Sequence, residues 1–167
     1  MATLQIGSLS EGTLKTEHLM ESLIYEMRQI HKQTNDPTLG TLIAEYEKDF
    51  EPYEEFDGTD LEQLDHLFEE SIEALQYAYV PDYCYLGMNE SDGASFGVWV
   101  SWESLNDGVH DGSIYQGQDV DRDSIDPKKH AYILDTNDHG NATLYGRSVV
   151  LTPDGIVAKY NEVWAVV

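Results

Sequence analysis

Carboxylates dominate the side chains of this chain that could do chemistry. Acidic residues outnumber basic ones by 32 to 9 over 167 residues, and the formal net charge at pH 7 is −23. Between Glu45 and Glu73, thirteen acidic residues accompany a single base, Lys48. Like charges at this density cost folding free energy through repulsion. We therefore expect this acidic segment to serve a strongly basic partner.

Within the segment, Glu62, Asp65, Glu69 and Glu73 are spaced by three or four residues. On a helix this spacing places them along one line, with a rise of about 5 to 6 Å per step. Phosphates along a duplex also form a line of single negative charges at a spacing of a few ångströms. The spacing predicts a surface that imitates DNA. The residues expected to form it are Glu45, Glu47, Asp49, Glu51, Glu54, Glu55, Glu62, Asp65, Glu69, Glu70 and Glu73.

The acidic segment is also compatible with roles that involve no mimicry. A merely solvated helix face would show the same pattern, and so would adaptation to high salt. Salt adaptation should acidify every surface, whereas residues 127–167 carry four acids and four bases. The alternative from another function class is a protein-interaction module whose aromatic β half makes the contacts, because tyrosine is enriched at interfaces.

Three short patterns resemble catalytic or metal sites, but each lacks part of the required context. Residues 93–97 match G-x-S-x-G, yet a polar turn precedes the serine and a strand-like run follows, the reverse of a nucleophile elbow. Residues 119–123 begin like a calcium loop, but Ser124 and His130 replace the required glycine and glutamate. His66 lies among glutamates without the paired Glu-x-x-His of a di-iron site. We predict no enzyme, no metal and no cofactor, and leave open loose divalent-cation binding at residues 119–126.

The elements that must position the carboxylates are predicted to be helices. Thr16 is predicted to cap a helix that ends near Lys32, and Asp36 to cap a second with Pro37 at its first position. A capping box at residues 59–62 opens a third, which runs to about Tyr79. Its predicted inward face consists of Leu61, Leu64, Phe68, Ile72, Leu75 and Tyr79.

The second half of the chain changes to the alternating and β-branched runs of strands, separated by turn residues. We therefore predict an α+β fold, with an N-terminal three-helix region followed by an antiparallel β-sheet of five or six strands. The expected organisation is a helical acidic region over residues 1–80 and an antiparallel β region over residues 81–167, together forming one compact unit.

Composition and the absence of targeting signals in the sequence predict the cellular compartment of the protein. The sequence shows no secretory signal and no apolar run of the length of a membrane span, and Cys84 is its single cysteine. These features predict a soluble, cytoplasmic protein. A pI near 4.2 argues against direct binding of nucleic acid or of anionic membranes, since both attract positive surfaces.

Part of the C-terminal half resembles a known group of proteins. Residues 96–103 (FGVWVSWE), the NDHGNATLY stretch within 132–145 and the final EVWAVV look like the C-terminal part of uncharacterised small phage and prophage proteins. The resemblance implies an origin in a mobile element and a place in the host bacterial cytoplasm. In general character the chain is similar to DNA-mimic inhibitors used against restriction and CRISPR systems. We therefore expect a noncatalytic inhibitor of a basic nucleic-acid-binding protein, with homodimerisation left open.

Overall fold

Local capping sets the boundaries of the first helices. In the computed structural model, which describes residues 2–51, 58–153 and 155–166, helix α1 spans Thr16–Thr34 and ends where Asn35 turns left-handed at φ 54°. Helix α2 spans Pro37–Asp49, and the Asp36 carboxylate accepts hydrogen bonds from the first free amides, those of Thr38 and Leu39. Helix α3 spans Gly58–Ala78. The three predicted helices are confirmed, but Thr16 is the first residue of α1 and Lys15 occupies the cap position, without a side-chain hydrogen bond. The side chain of Thr59, the predicted cap of α3, lies outside the described residues.

A three-stranded antiparallel sheet completes this first unit. Strands β1 (Gly7–Glu11), β2 (Cys84–Met88) and β3 (Ser95–Val100) lie in the order β1-β3-β2. The central strand needs glycine at position 97, where an added Cβ would lie 2.1 Å from the Gly7 carbonyl oxygen and 2.8 Å from the Ser8 Cα. The sequence did not predict β1, because Leu9 is its only large apolar residue and pairing with β3 is what forms it.

The rest of the chain forms a second unit, and the division falls between Val100 and Ser101. Its described residues form helix α4, four strands and a short 3₁₀ turn. These elements are α4 (Trp102–Asp111), β4 (Ile114–Gln118), the turn Arg122–Ser124, β5 (Tyr132–Thr136), β6 (Ala142–Thr152) and β7 (Gly155–Val166). The sheet order is β4-β5-β6-β7, with β4 and β5 parallel and the other neighbours antiparallel.

The α+β class is confirmed, but the predicted arrangement of three helices and one antiparallel sheet of five or six strands is wrong. The described residues contain four helices and two sheets, of three and four strands. Strand β3 pairs with both β1 and β2, so β2 and β3 belong to this sheet and do not continue into the C-terminal one. Helix α4, capped by Ser101 and ended by Gly112 at φ 82°, lies within the segment predicted to be an antiparallel β region. The boundary expected at residue 80 therefore lies inside the first unit.

Each unit has its own buried apolar side chains. In the first, Met20, Leu23 and Met27 of α1 are fully buried, and the Phe68 ring packs against Phe96 with 5.5 Å between centroids. In the second, Leu105, Ile114, Ile133 and Leu144 are buried to 2% exposure or less. Among the described residues we find no helix long and apolar enough to cross a bilayer.

Candidate acidic binding surface

Helix α3 presents its acidic residues on the side opposite its buried stripe. The buried stripe consists of Leu64, Leu67, Ser71, Leu75 and Tyr79, each no more than 8% exposed. Leu61, Phe68 and Ile72, which were predicted to face inward, are only half-buried. At 100° per residue the stripe is therefore rotated by about 40° from the predicted face.

Ser71 explains part of this rotation. Its hydroxyl donates a hydrogen bond of 2.7 Å to the carbonyl oxygen of Leu67, one turn earlier in α3. The hydroxyl is thus satisfied within its own helix, so the serine is buried without the penalty of an unpaired polar group. Ser71 was not among the residues predicted to face inward.

The consequence is an outward acidic face. Glu62, Asp65, Glu69, Glu70 and Glu73 are all exposed, and we call these five residues the α3 carboxylate face. They span about 16 Å of helix, or one carboxylate per roughly 4 Å of axis. One strand of B-DNA carries a phosphate per about 3.4 Å of axis. The two linear charge densities are therefore similar.

The α3 carboxylate face keeps its charge. Within the described part of the chain, no lysine or arginine nitrogen lies within 4.0 Å of these five carboxylates. The sequence has neither residue type between positions 49 and 121. His66 Nε2 lies 3.5 Å from Glu70 Oε1, and both side chains are largely solvent-exposed.

The acidic residues of α2 and of the turn after it differ from those of α3, because arginine and lysine form salt bridges with several of them. Arg28 of α1 donates from Nη2 to Glu47 Oε1 and to Glu51 Oε1, each at 2.8 Å. The hydrogen bond to Glu51 makes the largest contribution and that to Glu47 the next, and both raise the pKa of Arg28. Lys48 Nζ lies 2.7 Å from Asp49 Oδ1. The sequence did not reveal the Arg28 pairs, since nineteen or more residues separate the partners.

The eleven residues predicted to form the binding surface therefore fall into groups. Glu45 and the α3 carboxylate face are exposed without an arginine or lysine salt bridge in the described structure. Glu47, Asp49 and Glu51 are paired with cations, and Glu54 and Glu55 lie outside the described residues. The uncompensated charge is thus concentrated on α3.

The G-x-S-x-G pattern is part of sheet packing. Ser95 is 7% exposed at the start of β3, and its hydroxyl donates to Ser8 Oγ of β1 at 3.1 Å. A strand follows the serine, whereas a nucleophile elbow requires a helix there. The serine and the second glycine of this pattern therefore contribute to the close pairing of β1 with β3.

The segment that begins like a calcium loop forms a 3₁₀ turn. The Asp121 carboxylate accepts a hydrogen bond from the backbone amide of Asp123, and the Arg122 guanidinium lies 4.5 Å from the centroid of the Tyr145 ring. The described residues contain no group of three or more histidine, cysteine or acidic side chains arranged to hold a metal ion. Asp121 therefore acts here as a local turn residue.

Exposed apolar side chains of the second unit gather at the far end of the β6–β7 hairpin. Val149, Val150, Leu151, Ile156 and Val157 are between 41% and 81% exposed. Strand β5 pairs with β6 only as far as Gly146, so the outer part of the hairpin is a two-stranded ribbon. Trp164, in contrast, is buried. Two aromatic side chains of the second unit, Trp102 and Tyr115, are also exposed, at 49% and 36%.

Comparison of the chain with protein-family models, with curated proteins and with solved structures finds no match in any of the three. The indications of function are therefore those of its own side chains, above all the exposed carboxylates of α3, for which the described residues provide no arginine or lysine salt bridge.

Proposed function

We propose that this protein is a noncatalytic inhibitor that binds a basic nucleic-acid-binding protein, such as a CRISPR or restriction effector. The α3 carboxylate face would occupy the partner's DNA site in place of phosphates. The observation that supports this proposal is the row of exposed carboxylates without arginine or lysine partners, at nearly the charge spacing of one DNA strand. The resemblance of the C-terminal segments to phage proteins agrees with a role against host defence.

A mimic also needs a rigid scaffold, since ordering a loose charge row on binding would reduce affinity. Helix α3 is held at several points. The Gln76 side chain donates to the Cys84 carbonyl at 3.1 Å and accepts from the Leu86 amide at 2.7 Å, which fastens α3 to β2. The Tyr79 hydroxyl donates to the Asp36 carboxylate at 2.6 Å, which fastens its end to the start of α2.

The arrangement is costly for the protein by itself, which favours a functional reason for it. Like charges three or four residues apart destabilise a helix by about 0.2 to 0.5 kcal/mol per pair. The last turn of α3 contains no basic residue that would favour the helix dipole. A basic DNA-binding groove would reverse these unfavourable interactions on binding and would speed encounter.

The proposal is tested by displacement from DNA. A bacterial lysate is loaded on double-stranded DNA immobilised on cellulose, and the purified chain is added at about 50 mM salt. We expect it to release a discrete set of basic proteins, with weaker release at about 200 mM salt because screening shortens the reach of charge. Release that is insensitive to salt, or no release, would contradict the proposal.

A pair of matched variants locates the effect. Reversal of Glu62, Glu69 and Glu73 to lysine should abolish release. Reversal of Glu90, Glu103 and Asp107, which are exposed elsewhere, changes the net charge equally and should preserve it. Circular dichroism establishes that both variants fold. Equal release by the two variants would remove the α3 carboxylate face from the mechanism.

The second candidate function is a protein-interaction module that binds through the second unit, and the exposed aliphatic end of the β6–β7 hairpin favours it. In this case Leu151→Asp with Ile156→Asp would abolish capture of the released proteins by the immobilised chain. The α3 charge reversal would leave that capture intact. The opposite pattern favours the mimic.

A further inference from the structure

A groove runs between β1 and α1 in the first unit, away from the carboxylates of α3. Two cavities of about 610 Å³ and 420 Å³ form it, and both are lined by Ser8, Leu9 and Glu26. Ligand sites in proteins commonly enclose about 300 to 1,000 Å³. The groove is therefore large enough for several residues of another chain.

One wall of the groove is a polar line on α1. Ser22, Glu26, Gln29 and Gln33 line it at spacings of four, three and four residues, which puts them on one side of the helix. Carboxamides both donate and accept hydrogen bonds, so they suit the amide groups of a peptide. The buried Ile30 contributes apolar surface between them.

The other wall is an edge strand. Strand β1 lies at the end of the sheet order β1-β3-β2, with β3 as its partner in the described sheet. The outer side of an edge strand offers backbone N–H and C=O groups to a further strand. Peptides bind in this way when an extended segment adds to a sheet edge.

Charge indicates what kind of segment fits. Glu21 and Glu26 line the groove, and its lining residues include no lysine or arginine. The Tyr25 ring, 61% exposed, lies between these two carboxylates in the sequence and offers a face for a cation. Partial burial raises the pKa of Glu26, as expected for a carboxylate without a neighbouring cation.

We propose that this groove binds an extended basic peptide segment of a partner protein, which adds to β1 as a further strand and places lysine or arginine against Glu21 and Glu26. Residues 22–33 of α1 span about 16 Å, which corresponds to about five residues of an extended strand. The site is separate from the α3 carboxylate face, so the two proposals stand or fall independently.

The test uses a fluorescein-labelled nonapeptide of alternating lysine and valine, added to the full chain and followed by fluorescence anisotropy. Two further versions carry N-methyl groups on either the odd or the even residues. Only alternate amides of an added strand face the sheet edge. We expect one methylated version to bind roughly tenfold more weakly and the other to bind like the parent. Equal behaviour of the two versions would overturn the strand-addition geometry.

Variants of the protein identify the site of binding. Glu26→Lys should weaken the parent peptide by roughly five- to tenfold, because it replaces an attraction by a repulsion. Gln29→Lys, at an exposed position of the same wall, should also weaken binding of the peptide. It replaces Glu26→Lys in the test if that variant disturbs folding. Glu90→Lys is the charge-matched control and should bind like the wild type. Loss of binding in the α3 triple reversal, with Glu26→Lys unaffected, would show that the peptide binds α3 and would overturn the groove proposal.

Discussion

Substitution of Gly97 by alanine tests the pairing of β1 with β3, on which the groove and the scaffold of the first unit depend. The added Cβ would lie 2.1 Å from the Gly7 carbonyl oxygen and 2.8 Å from the Ser8 Cα. A Cβ atom cannot lie that close to a carbonyl oxygen or to another carbon without strong repulsion, and both obstructing atoms belong to the backbone. The two strands would therefore have to separate by about 1 Å, since neither atom can rotate away.

Two opposing terms set the expected magnitude. Overpacking of a well-packed interior costs about 1 to 3 kcal/mol, and the rigid backbone on both sides places this site at the upper end. Alanine also restricts the unfolded chain, which returns about 0.4 to 1 kcal/mol. We expect a net loss of about 2 kcal/mol in the free energy of unfolding. Gly93→Ala is the matched control, because no atom lies within 4 Å of its added Cβ, and it should be neutral or slightly stabilising.

Urea denaturation followed by far-UV circular dichroism measures the difference, since α1, α2 and α3 all belong to the first unit. With a typical slope of about 1 to 3 kcal/mol/M, Gly97→Ala should lower the midpoint by roughly 0.7 to 2 M relative to Gly93→Ala. Equal midpoints for the two variants would refute the close approach of β1 to β3.

Two further predictions concern titratable groups of the same unit. Burial, followed by the charge of Asp82, raises the pKa of Cys84 to about 12, so iodoacetamide at about pH 8 should alkylate the native thiol at least about 1,000-fold more slowly than the urea-unfolded one. Rapid alkylation under native conditions would contradict this burial. The hydrogen bond from Tyr79 lowers the pKa of Asp36. The ionised Asp36 carboxylate therefore stabilises the fold above about pH 4, and this stabilisation is lost as the pH falls through the lowered pKa of the folded protein. Tyr79→Phe should therefore cost about 1 kcal/mol at pH 7 and less at about pH 2.5, measured by urea unfolding, and an equal cost at both would contradict the mechanism.

Much of the helical region could be predicted from the sequence because its signals are local. Asp36 and Pro37 specify the start of α2 within three residues, through hydrogen bonds to the adjacent amides and a preset φ. The row of carboxylates on α3 follows from helical periodicity in the same way. These interactions connect residues no more than about one turn apart, so they can be read from the order of residues.

Tertiary structure decided which face of α3 is buried, which acidic residues keep their charge and which strands pair. Ser71 can be buried beneath neighbouring elements because its hydroxyl donates a hydrogen bond to the Leu67 carbonyl of the same helix. Glu47 and Glu51 share the one positive charge of Arg28, which packing brings beside them, and β1 becomes a strand because β3 supplies its hydrogen bonds. Each outcome joins residues distant in the chain, and its free energy is realised only when folding brings them together.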